Sequence, residues 1–367
     1  MGLRDVIGDL RNRLVAKPEF RRFAKSFPLT RPTARREARA LFDLMAGFVY
    51  SQTLLACVET DLFEFLKSGP KSLDALSDHA GLPREGAERL ARAAAALELL
   101  EARSGGCYAL GRLGAAMVGD PGLAAMTRHH ALLYADLQDP LAILRGAKGE
   151  RLSAFWGYGR DERSDGEPDA YSELMAATLP MVAEEVFAAL AVRRHRRLMD
   201  VGGGEGAFIA EAARRAPGLD LSVFDLPPVA DRARARLAEA GLGDRVTVHG
   251  GSFLDDSLPG GADLISLVRI LHDHGDDEVT RLLSQCREAI APGGTLLIAE
   301  PMAEARGAEP MGEAYFGFYL AAMGRGRPRT QARIQALLSH AGFTQITPHR
   351  TRIPLIANIL TARTPKT

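Results

Sequence analysis

Residues that could do chemistry gather around one glycine run. Asp200-Val-Gly-Gly-Gly-Glu-Gly206 follows an apolar stretch and precedes a helix-forming one, so bare backbone lies at a strand-to-helix turn where a ligand approaches closely. Gly202-x-Gly204-x-x-Ala207 satisfies a dinucleotide fingerprint, and Asp225 ends the next apolar stretch, where ribose hydroxyls are gripped. Glycines alone do not separate NAD from S-adenosylmethionine. Charge does. Asp200 and Glu205 would crowd a pyrophosphate, since two unit charges about 4 Å apart repel by roughly 4 kcal/mol at an effective dielectric of 20. A sulfonium and an ammonium suit the same carboxylates, so the loop is expected to hold S-adenosylmethionine.

The elements that must position these residues alternate. Strands are expected at 198–201, 221–225, 246–249, 262–268 and 295–300, with helices near 206–215, 229–240 and 277–290. A helix over 330–341 precedes segments 343–347 and 356–361, read as an antiparallel pair closing the sheet. The fold class is therefore α/β: a Rossmann-like domain with a mostly parallel sheet, plus a mainly helical N-terminal domain. In that domain a helical pair is expected over 38–64. A short helix stopped by Gly81, a second over 83–100 and a hairpin at 105–110 then outline a winged helix-turn-helix. Arg84, Arg89 and Arg92 on its second helix are matched by Glu85, Glu88 and Glu98, so packing or dimerisation is expected there rather than DNA contact.

The chain has 367 residues, enough for two folded units. Lys+Arg and Asp+Glu both total 46, a balance that argues against a nucleic-acid partner. Three scattered cysteines form neither a metal spacing nor a disulfide framework, which predicts a cytoplasmic protein without a metal. The opening MGLRDVIGDLRNRL does not read as a signal peptide, and no unbroken apolar run has membrane-spanning length. The organisation is read as a basic arm over 1–39, a helical winged-helix dimerisation domain over 40–170 and a methyl-donor-binding domain over 171–367, with an exposed polar loop at 161–169. The arm carries eleven Lys/Arg against four Asp/Glu. Leu3, Val6, Ile7, Leu10 and Leu14 recur there at helical spacing, for packing on a partner subunit or for peripheral contact with an anionic membrane.

Several strings in order carry a resemblance. Besides the glycine run, these are Val223-Phe-Asp-Leu-Pro-Pro228, Ile270-Leu-His-Asp273, Pro292-Gly-Gly294 and Ala299-Glu-Pro301. With them the chain resembles the class I S-adenosylmethionine-dependent small-molecule O-methyltransferases that carry a winged-helix dimerisation domain. The resemblance implies a homodimer and a cofactor site of Asp200, Gly202, Gly204, Asp225, Leu226, Gly251, Ser252, Phe253 and Arg269. In it Asp225 would take the ribose, Gly202 and Gly204 the methionine part, and Ser252 and Phe253 the adenine. It implies His272 as the catalytic base, oriented by Glu300. Two departures stand out. Gly250-Gly-Ser-Phe253 lacks an acidic residue for adenine, and Pro328 stands where a second carboxylate near the histidine would fall, which predicts a less firmly oriented His272.

For the acceptor, Trp156, Met175, Phe316, Tyr319 and Met323 could line a long apolar pocket, although such stripes also serve as plain core. The overall likeness is to the hydroxycarotenoid (demethylspheroidene-type) O-methyltransferases of phototrophic bacteria, which implies a lipophilic acceptor with a tertiary hydroxyl. Alternatives are a phenolic or polyketide hydroxyl, or a carbon of a bacteriochlorophyll precursor. More distant are an NAD-dependent oxidoreductase and a DNA-binding regulator.

Overall fold

The computed structural model describes residues 2–156 and 170–365; the expected loop at 161–169 lies outside them. The chain forms two compact units, residues 1–119 and 120–367.

The first unit opens with helices α1 (Leu3–Ala16), α2 (Pro18–Ser26) and α3 (Arg31–Glu59). The expected basic arm thus ends inside a helix, and the expected helical pair is mainly one 29-residue helix followed by the short α4 (Leu62–Leu66). Among its side chains only Thr53, Cys57 and Val58 are buried, while Leu41, Phe42, Leu44, Met45 and Phe48 are exposed. By length and composition α3 could cross a membrane, with mean hydropathy 1.5. Asp43, Tyr50, Ser51 and Gln52 interrupt its apolar residues, which is why no continuous run marks it.

Next come β1 (Lys71–Ser72), α5 (Leu73–Ala80), α6 (Arg84–Ala96), β2 (Leu100–Arg103), β3 (Cys107–Leu110) and α7 (Arg112–Met117). Ser72 Oγ accepts from the Ala75 N–H to start α5, and Gly81 ends it with φ 63°, a left-handed conformation that glycine adopts cheaply. The three strands form a sheet in the order β1-β3-β2. Helix α6 is shorter than expected because Leu97 leaves the helix and Leu100 enters the hairpin. Its arginines pair with carboxylates: Arg84 with Asp74 at 2.8 Å and Arg89 with Glu85 at 2.9 Å.

The second unit begins with α8 (Pro121–Asp136), α9 (Pro140–Leu144), α10 (Glu150–Phe155) and α11 (Ala170–Ala189). The boundary at 119/120 differs from the 170/171 read from sequence. Side chains of α8, α9 and α10 share a buried cluster with later residues: Leu133, Ile143 and Leu152 pack with Trp156, Tyr319, Leu320 and Met323. The sheet follows: β4 (Arg197–Val201), α12 (Ala207–Arg215), β5 (Asp220–Asp225), α13 (Pro227–Glu239), β6 (Val246–Gly250), β7 (Ala262–Val268), α14 (Asp276–Ala289), β8 (Ile290–Glu300), α15 (Phe316–Met323), α16 (Gln331–His340), β9 (Thr344–His349) and β10 (Asn358–Arg363).

Seven strands run in the order β6-β5-β4-β7-β8-β10-β9, with β4 to β8 mutually parallel and β10 antiparallel to both its neighbours. Successive β4 residues serve opposite faces: Leu198 packs with Phe208 and Ile209 of α12, Met199 with Leu282 and Cys286 of α14. Burial on both faces accounts for the nearly continuous apolar strands. The outermost strand, β9, is interrupted by Pro348, by Gln345 at φ 48° and by a register shift in its partner between Thr361 and Arg363. Strand order reverses beside β4, where connections from β4 and β7 leave in opposite directions and open a crevice at the strands' C-terminal ends.

Candidate active site

A cavity of about 770 Å³ occupies that crevice. Its wall includes Asp200, Gly202, Gly204, Asp225, Leu226, Gly251, Ser252, Phe253, Arg269 and His272, together with Trp156, Met175 and Met323. Three expected residues are not on the wall. Glu300 is 1% exposed and holds His272. Phe316 sets its ring edge-on to His272, centroids 5.8 Å apart. The Tyr319 hydroxyl is taken up by Trp156 Nε1 at 2.7 Å and His129 Nε2 at 2.6 Å. These two aromatics therefore support the pocket and do not line it, as packing in the α8–α10 cluster requires.

The glycine turn is walled by backbone because side chains would not fit. A Cβ on Gly203 would lie 2.7 Å from Asp200 Oδ2, and Gly202 has φ 70° with a Cβ position 2.5 Å from Ile270 Cδ1. Asp225 is buried and accepts from the N–H of Gly204 at 2.7 Å and of Leu226 at 2.8 Å. Burial pushes its pKa up to about 6 against those hydrogen bonds and the Arg232 charge. Asp200 accepts from Ser266 Oγ at 2.6 Å across the β4–β7 ladder. Its pKa rises to about 7, chiefly through burial, with the Asp225 charge adding to the shift and the Ser266 bond opposing it.

Glu205 does not act as the sequence argument supposed. It is held by Arg232 at 3.3 Å and Arg236 at 3.1 Å, so its charge is offset. Asp200 and Asp225 line the cavity alongside Asp273 and Glu278. Ser252 has its own anchors: its hydroxyl donates to Asp255 at 2.9 Å and its N–H to Asp256 at 2.8 Å. Arg269 adopts φ 59°, and its guanidinium donates to Thr178 of α11 at 3.0 Å.

At the opposite end, His272 Nδ1 bonds to Glu300 Oε2, while Glu300 Oε1 accepts from the N–H of Ile270 at 2.7 Å and of Leu271 at 2.6 Å. With Glu300 Oε2 as acceptor, Nδ1 carries a proton and Nε2 is the nitrogen that gains or loses one. Asp273 Oδ1 lies 3.2 Å from Nε2. Burial alone would lower the His272 pKa. The charges of Asp273 and Glu300 and the Glu300 bond outweigh burial and the opposing Arg269 charge, and hold it above its ordinary value.

The segment containing Pro328 supplies no carboxylate, yet His272 is not loosely held. Arg329 is 4% exposed and donates to the carbonyls of Leu271 and His274 and to Asp276, clamping the turn that carries the histidine. The Arg327 N–H donates to the His272 carbonyl at 2.9 Å, and Gly326 sits where a Cβ would lie 2.1 Å from that same carbonyl oxygen. Sequence reasoning missed Arg329 and Ser266. A hydroxyl inside the otherwise apolar stretch 264–268 was the one readable signal for Ser266; nothing local marks Arg329.

The profile of the O-methyltransferase domain matches residues 134–344, and that of the O-methyltransferase dimerisation domain matches residues 42–120. The chain belongs to the O-methyltransferase family. It is a methyltransferase that uses S-adenosylmethionine as donor, and the chain is similar along nearly its whole length to other members. Demethylspheroidene O-methyltransferase of Cereibacter sphaeroides is 45% identical over 358 residues, 96% of this chain and 94% of the relative. The enzyme of the same name from Rhodobacter capsulatus is 42% identical over 91% of this chain and 84% of its own length. Among solved structures, human N-acetylserotonin methyltransferase in complex with S-adenosylmethionine superposes with a TM-score of 0.75, covering 90% of this chain and 98% of that one at 25% identity. In this O-methyltransferase Asp200, Asp225 and His272 all stand on the wall of the same cavity.

Proposed function

We propose that this enzyme methylates the tertiary hydroxyl of a demethylspheroidene-type hydroxycarotenoid. The observation that carries the acceptor is the 45% identity to a demethylspheroidene O-methyltransferase across 96% of the chain. A wall of Trp156, Met175 and Met323 supports it, since thioethers and an indole suit a long polyene better than a small polar acceptor. Homodimerisation through the N-terminal helical unit and a cytoplasmic location belong to the same proposal.

The residues present fit S-adenosylmethionine: a backbone-walled turn, a buried Asp225 for ribose hydroxyls, and carboxylates for cationic groups. Gly202 and Gly204 would hold the methionine part, and Ser252 and Phe253 the adenine. When bound, the donor supplies an electrophilic methyl on a sulfonium. His272 Nε2 takes the hydroxyl proton, and Glu300 steadies the imidazolium that results. A tertiary alcohol is a far weaker acid than a phenol, whose pKa is about 10. Its proton therefore leaves as the methyl transfers, and a histidine of raised proton affinity is the better acceptor for it. Much of the acceleration then comes from alignment, which contributes up to roughly 7–11 kcal/mol. No metal has a role in this scheme.

The test is incubation of the enzyme with methyl-labelled donor, a hydroxycarotenoid and a panel of phenols, with products identified by mass. A labelled methoxycarotenoid is the expected product; label on phenols alone would sink the assignment.

A further inference from the structure

We infer that α1 forms a docking face for an anionic lipid bilayer. On a helical projection of α1, Val6, Ile7, Leu10 and Leu14 fall within an arc of about 100°. All four are exposed, Leu10 by 60%. Arg4 and Arg11 border the arc on one side and Arg13 on the other, while Asp5 and Asp9 lie on the opposite half. Apolar centre, cationic borders and anionic back are the arrangement that lets a helix lie in a headgroup layer, with arginine stems reaching up to phosphates.

Helix α2 adds charge but not the same pattern: Arg21, Arg22 and Lys25 share one side of it, while Phe23, exposed and stacked on Phe27 at 5.1 Å, lies on the other. Among the described residues of α1 and α2, the one ion pair with a carboxylate is Arg22 with Glu19 at 3.6 Å. The other described cations of these two helices make none. Two observations argue against a second copy of the chain as the occupant. The dimerisation-domain match begins at residue 42, after both helices, and α3 offers copies an exposed apolar face of its own at Leu41, Leu44, Met45 and Phe48. Subunit interfaces are also depleted of charge at their centres, whereas a lipid phosphate layer answers the arginine borders directly. The inference does not depend on the identity of the methyl acceptor.

The test uses the full chain with vesicles of phosphatidylcholine, alone or with about 30% phosphatidylglycerol, in about 0.1 M salt. Cosedimentation is expected to be at least tenfold stronger on the anionic vesicles and to fall back in high salt. The double substitution Ile7→Asp/Leu10→Asp is expected to lower it at least tenfold, with particle mass and activity on a detergent-dispersed acceptor unchanged. Arg11→Gln/Arg13→Gln, which keeps the apolar stripe, is expected to weaken the salt-sensitive part alone. Equal binding to both vesicle types would overturn the inference. So would a change of particle mass in the Asp variant, since that assigns the face to a contact between copies.

Discussion

His272 and Glu300, 28 positions apart, meet as a buried pair in which one carboxylate oxygen takes the imidazole Nδ1 and the other takes two backbone N–H groups. The ring is thereby fixed in one tautomer, with Nε2 3.2 Å from Asp273 Oδ1. An imidazole held in this way needs no further carboxylate from the Pro328 segment to orient it.

Replacing His272 with alanine is expected to lower kcat about 10²–10⁴-fold with donor affinity unchanged. In the native enzyme kcat should rise with pH through the raised His272 pKa, because only the neutral imidazole accepts a proton. Activity is therefore lost as pH falls through a point above 6.5. The inflection should vanish in the variant. A drop below tenfold would assign the rate to alignment alone.

Asp225→Ala is expected to weaken S-adenosylmethionine at least tenfold by calorimetric titration, with circular dichroism unchanged. Gly204 and Leu226, whose N–H groups it now satisfies, both line the cavity, so water can take its place and the fold survives. Undiminished affinity would remove Asp225 from the donor site.

Donor binding is expected to depend on pH through the same carboxylates. Asp200 and Asp225 hold protons up to about 7 and about 6 in the free enzyme, and a cationic ligand favours their ionised forms. Affinity should fall by up to about tenfold per pH unit between 7 and 6, where binding displaces one proton from Asp200, and more steeply below 6, where it displaces a second from Asp225. Titrations at pH 5 to 8 check this. Asp200→Asn should flatten the upper part of the curve. Stability of the free protein has the opposite sign: both groups bind protons more tightly when folded, so their contribution is full below pH 4 and is lost as pH rises through 6 to 7.

Arg329→Met is expected to reduce kcat about tenfold or more with little change in donor affinity, because the turn bearing His272 loses its clamp while the glycine turn does not. It should also cost about 1–3 kcal/mol of stability, since two carbonyls lose a buried donor while Asp276, partly exposed, keeps Arg333 at 2.8 Å. Arg329→Lys should restore little, for one ammonium cannot span three acceptors. Thermal melts and steady-state kinetics read the two effects separately.

The parallel sheet was legible because its strands are rich in buried apolar residues and four of the five end at or beside a glycine or carboxylate, Asp200, Asp225, Gly250 and Glu300, while β7 ends at Val268. The antiparallel pair β9 and β10 was legible for a similar reason, as two short runs after the last helix. The electrostatics were only half legible. Glu205 counts as an anion in a string of letters, but the pairing with Arg232 and Arg236, 27 and 31 positions away, is visible only once α13 has folded back. Tyr319 illustrates the same limit, since its partner His129 lies 190 positions earlier and turns an apparent pocket residue into an internal strut. The domain boundary escaped because α8 to α10 look like any amphipathic helices and reveal their allegiance only by what they touch.

The broken outer strand β9 sets how copies of this protein can assemble. With a proline, a left-handed residue and a shifted register in its ladder, it offers a poor template for strand addition, so the seven-stranded sheet ends there instead of running on into a neighbour. Ribbon-like growth of stacked copies, which would join one edge of the sheet to the other, is thereby blocked at one of its two edges, β6 forming the second.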